Sequence, residues 1–132
     1  MQNRYLKILV MCLVLFSLFA ACAGVQPEVT VGPEAGVKTL AIKASSFKFD
    51  PNNIKAYVGD VIILKVENVS GSNHNFTVND PAGKAVQSVD LPPGKTVEIR
   101  VTLSESGTYD FYCDKTFHSF FGMKGQIEAL KR

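Results

Sequence analysis

From residue 38 to residue 132 the chain runs in short stretches that alternate apolar and polar side chains or are dense in β-branched ones. They are TLAIKA (39–44), IKAYV (54–58), VIILKVENV (61–69), HNFTV (74–78), VEIRVTL (97–103), TYDFYC (108–113) and QIEAL (126–130). Turn residues cut them apart, in DPNN, VGD, SGSN, LPPGK and ESG. A period of two puts successive side chains on opposite faces of a strand, so each stretch offers one face to a core and the other to water. No stretch of similar length carries an apolar stripe of helical period. The pattern therefore predicts an all-β sandwich of about seven or eight strands, with helices short at most. About 95 residues are enough to bury a core without disulfides, and no second domain fits in 132 residues.

The N-terminal part is of another kind. Arg4 and Lys7 precede ILVMCLVLFSLFAAC (8–22), an apolar run of signal-peptide character. Its end, LFAAC (18–22), resembles the lipobox of bacterial lipoproteins, with Phe19 where Leu is usual; this implies a lipid on Cys22 and a membrane anchor. Cleavage after Ala23, or retention as a signal anchor, are the alternatives. Each of the three sends residues 38–132 out of the cytoplasm, to a membrane-anchored or periplasmic location. Residues 23–37, AGVQPEVTVGPEAGV, read as a flexible tether, spanning about 20 Å on average and about 50 Å when taut. Loss of residues 1–22 takes Arg4 and Lys7 from the 14 basic residues, leaving 12 against 12 acidic ones. A neutral domain lacks the basic face that nucleic acid demands.

Of three cysteines, Cys12 lies in the apolar run and Cys22 at its end, so Cys113 is left without a disulfide partner. A lone thiol outside the cytoplasm is a liability unless it is buried or occupied. Cys113 opens FYCDKTFHSFFGMKG (111–125), where His118 and Met123 follow at equal spacing, Cys-x4-His-x4-Met. The other histidine, His74, starts a predicted strand. Two imidazoles, a thiolate and a thioether fit one copper ion, as a His2Cys plane with a weak axial Met. Zinc gains little from a thioether and favours a second Cys or His pair. Iron–sulfur clusters need more cysteines.

The pair SNHNF and YCDKTFHSFFGMKG resembles the cupredoxins, the small blue copper proteins of the azurin, plastocyanin, rusticyanin and phytocyanin group. The likeness covers roughly residues 38–132, and the four-and-four spacing is that of rusticyanin-like and phytocyanin-like members. It implies a Greek-key β-sandwich with copper on His74, Cys113, His118 and Met123. Asn75 would hydrogen-bond across to the loop carrying the cysteine and tie the two ligand segments together, while the carbonyl of Asn73 corresponds to one that approaches copper in some relatives. Phe117, Phe120 and Phe121 would form an apolar rim around His118, where redox proteins dock transiently, with Lys115 and Lys124 adding local charge. The implied role is one-electron carriage; the alternative is copper binding and delivery without electron transfer. An enzyme is not expected, because multicopper oxidases and copper nitrite reductases need many more histidines, and a binuclear copper centre needs a second Cys where Phe117 stands. Asp60, Asp110 and Asp114 read as turn or strand-surface positions without a role, and nothing resembles a phosphate loop, a Ser/His/Asp set or a small-molecule substrate site.

Overall fold

In VIILKVEN, residues 61–68, the side chains of Ile62, Leu64 and Val66 are buried while those of Lys65 and Glu67 face water. The alternation is used as the sequence predicts, and it repeats across the molecule. The computed structural model describes residues 27–132; the export segment and Cys22 lie outside them. Ten strands follow in order: β1 (Glu28–Thr30), β2 (Val37–Ser45), β3 (Lys48–Asp50), β4 (Asn53–Tyr57), β5 (Val61–Asn68), β6 (His74–Asn79), β7 (Ala85–Leu91), β8 (Thr96–Thr102), β9 (Gly107–Tyr112) and β10 (Lys124–Leu130). They form two mixed sheets, β1-β4-β10-β9-β6-β7 and β3-β2-β5-β8, packed as a sandwich.

The seven expected strands are all present, and β1, β3 and β7 join them. β7 is exposed at all its positions but two, so it shows no clean alternation. It is an edge strand, paired only with β6. β1 lies inside the stretch expected to be a tether. There EVTV supplies β-branched residues that pair in parallel with Asn53–Lys55 of β4. The Val31 N–H donates to Lys55 O at 2.9 Å, Val31 is buried, and Lys55 pairs with Glu28 at 3.1 Å. The chain is thus docked on the sheet edge from residue 28.

Asp60, expected to be a turn residue without a role, is in a turn but has no accessible surface. Its carboxylate accepts N–H bonds from Gly36 at 3.2 Å and Tyr57 at 3.1 Å, and Arg132 closes over it as an ion pair. Burial by itself raises its pKa. The bonds from Arg132, Tyr57 and Gly36 outweigh burial and hold the carboxyl below its ordinary value of 3.8.

Candidate metal centre

The inward alternation of two neighbouring strands delivers the ligands. In β9 and just past it, Tyr109, Phe111 and Cys113 are all buried; in β6, so are His74, Phe76 and Val78. Cys113 and His74 thus continue the core faces of antiparallel neighbours, one at the end of its strand and the other at the start. Phe76 and Phe111 stack beneath them with centroids 4.9 Å apart, and Phe49 meets both edge-on, at 4.9 and 5.6 Å. Each such ring contributes roughly 1.5–3 kcal/mol by burial. This packed floor fixes where the two ligand strands can sit.

The loop from 113 to 123 supplies the rest. Its neck is closed by the Cys113 N–H donating to Met123 O at 3.0 Å, and the Met123 N–H donates to His118 O at 3.0 Å. Within it, His118 N–H reaches Lys115 O and Phe121 N–H reaches Phe117 O, each at 3.0 Å. Positive φ at Phe117 and Gly122 turns the chain back on itself. These bonds tie the backbones of three of the four sequence-predicted ligands to one another, and Met123 is fully buried beside them.

Ligand atoms of His74, Cys113 and His118 all lie within 4.8 Å of one another. His74 Nδ1 is 3.1 Å from His118 Nδ1, and Cys113 Sγ is 3.4 Å from His118 Nδ1. Burial first, and then the neighbouring His118, push the pKa of His74 below its ordinary value, favouring the neutral ring that a metal ligand must be. Nitrogen lone pairs facing each other at 3.1 Å repel unless a proton or cation lies among them. No carboxylate joins this cluster, and Cys113 has no disulfide partner among the described residues. Nitrogen and soft sulfur donors without oxygen fit one copper ion of the His2Cys plus Met type.

The surroundings differ from expectation in two respects. Asn75 does tie its strand to the cysteine, but through its backbone N–H, which donates to Cys113 Sγ at 3.4 Å. Its side chain instead donates to Ser88 Oγ of β7 at 3.1 Å and accepts from Thr77 Oγ1 at 2.8 Å. An outward-facing amide in β6 finds its neighbours on the adjoining strand, because Asn75 and Thr77 share a face with Ser88. The second is Phe47, an exposed ring beside His118 that the sequence did not point to. Phe117, Phe120 and Phe121 are 68%, 81% and 60% exposed on the loop that carries the half-buried His118. Phe47, at 41%, meets the His118 ring edge-on at 5.1 Å and Phe121 at 5.2 Å. Lys115 pairs with Asp90 at 3.0 Å, which neutralises it, while Lys124 and Asn73 are exposed.

The family model for the cupredoxin-like domain matches residues 8–128. The chain belongs to the cupredoxins. Plastocyanin A/B of Petroselinum crispum is 36% identical over 87 residues, covering 60% of this cupredoxin and 84% of the plastocyanin. The chloroplastic plastocyanin of Hordeum vulgare is 33% identical over 118 residues, covering 82% and 72%. Among solved structures, auracyanin from the photosynthetic bacterium Roseiflexus castenholzii superposes with a TM-score of 0.63 at 20% identity, covering 75% of this chain and 99% of the auracyanin.

Proposed function

We propose that this cupredoxin is a one-electron carrier working between redox proteins outside the cytoplasm, with a single copper ion held by His74, Cys113, His118 and Met123. The observation that carries the reading is the convergence of His74, Cys113 and His118 within 4.8 Å on an aromatic floor, with His118 alone of the three reaching the surface. Copper bound there supplies a cuprous/cupric couple that exchanges one electron.

The chain's own part is to hold its donors still and to shield them. Cys113 and His74 are set by strands, and the loop is cross-bonded from 113 to 123. Such a frame limits how far the donors can move between oxidation states. The Asn75 N–H directed at Cys113 Sγ stabilises negative charge on the sulfur. The buried donors exclude water, and the His118 edge stands within a rim of Phe47, Phe117, Phe120 and Phe121. An apolar rim of this size suits brief docking over a small area. Anchoring through lipid on Cys22, with a shortened tether from 23 to about 27, would keep the domain near the membrane that its partners share.

The test is voltammetry of the copper-loaded protein. A reversible wave of one electron per copper is expected. A site that takes up copper without reversible electron exchange would favour storage or delivery and would overturn the carrier reading.

A further inference from the structure

The ring nitrogen of His74 that faces away from the metal cluster, Nε2, lies 2.8 Å from Ser70 Oγ. Ser70 Oγ is also 2.8 Å from Asn68 Oδ1. A hydroxyl has a single proton, so it can satisfy only one of these two contacts as donor. Asn68 cannot supply the other proton. Its Nδ2 donates to two backbone carbonyls, Ser72 O and Leu91 O, both at 2.8 Å, which determines which end of the amide is oxygen. That oxygen already accepts the Ser70 backbone N–H at 3.0 Å. Asn68 has no accessible surface, so water cannot replace any of these partners. The Ser70 proton therefore goes to Asn68 Oδ1. The contact with His74 is then satisfied in one way, by Nε2–H donating to Ser70 Oγ. Ser72 O, 3.3 Å from Ser70 Oγ, is the alternative acceptor for the hydroxyl proton and leaves the same requirement on His74.

We propose that Asn68 and Ser70 are positioning residues that lock His74 as its Nε2–H tautomer and fix its ring angle. The Nδ1 lone pair is thereby left facing Cys113 Sγ and His118 Nδ1. The lock is built into the sandwich: the Asn68 N–H donates to Lys95 O at 2.8 Å, its carbonyl accepts from Gly94 N–H at 2.9 Å, and Val69 N–H donates to Ala44 O at 2.9 Å. The ring of His74 is therefore referenced to the second sheet as well as to its own strand. A ligand held in advance loses less freedom when metal binds, and outer hydrogen-bond partners of this sort typically contribute ~10–100-fold in metal affinity. The significance for copper rests on the function proposed above; the tautomer does not.

The test uses the full chain in detergent, labelled with 15N in its two histidines and stripped of metal. Nitrogen shifts separate protonated from unprotonated ring positions. At neutral pH, His74 is expected to carry its proton on Nε2 alone. Ser70→Ala should give a mixture of tautomers and bind Cu(II) ~10–100-fold more weakly. Ser70→Thr, which keeps the hydroxyl, should restore both. A proton on Nδ1 in the unmutated protein, or an unchanged single tautomer in Ser70→Ala, would overturn the proposal. The correct tautomer together with failure to bind copper would instead refute the copper reading and leave this assignment standing.

Discussion

Replacing Asp60 probes how this sandwich is closed at the turn between β4 and β5. The carboxylate accepts two backbone N–H bonds, from Gly36 and Tyr57, and neutralises Arg132. Asp60→Ala removes all three. Each of the two backbone N–H groups left without a partner costs about 1–3 kcal/mol, so a loss of about 2–6 kcal/mol is expected. Asp60→Asn keeps the shape but only one acceptor, so its NH2 leaves one N–H donor unpaired and the remaining bonds lose their charge assistance, for a loss of about 2–4 kcal/mol at pH 7. The sign with pH follows from linkage. The folded pKa is depressed below 3.8, so the charge contribution is complete well above that value and disappears as pH falls through the folded pKa. Urea unfolding of the metal-free protein at pH 7 and at pH 3 measures both. The gap between the natural protein and Asp60→Asn should narrow at pH 3. Equal stabilities at pH 7, or a gap that widens with acid, would refute this reasoning.

Three further changes separate the aromatic floor, the exposed phenylalanines and Met123. Phe76→Ala removes a fully buried ring that contacts Phe49 and Phe111 and should destabilise the protein by about 3–5 kcal/mol in urea unfolding. Phe120→Ala, at an 81% exposed position, should change stability by less than about 0.5 kcal/mol. It should leave the visible spectrum of the copper-loaded protein intact while slowing electron exchange with protein partners in stopped-flow mixing. Met123→Gln should retain copper but lower its potential by voltammetry.

Most of the architecture was legible because six of the seven expected strands bury one face more deeply than the other, so their period of two stands out, while β6, buried on both faces, shows in its aromatic and β-branched residues. β7 was not: it is largely exposed on both faces, and an edge strand wet on both sides leaves no alternation to read. β3 is three residues long, and β1 gains its place only from the open edge of β4, which no local signal announces. The convergence of His74, Cys113 and His118 was legible because histidine and cysteine are rare in this chain. Its supports were not. Phe47 lies far from His118 in sequence, and its part in the rim depends on how the hairpin of β2 and β3 folds over the loop. Asp60 sits in a VGD turn like many solvated aspartates, and only the approach of Gly36 and Arg132 buries it. Asn68 and Ser70 look like ordinary strand-end and turn residues until the bonds they make are traced through Leu91 and His74.

The most direct test of the copper centre is optical titration of the metal-free protein with Cu(II). An intense visible thiolate-to-copper band should grow to saturation at one copper per chain and be absent in Cys113→Ser. A protein that stays colourless with copper bound, or a Cys113→Ser variant that keeps the band, would contradict the account.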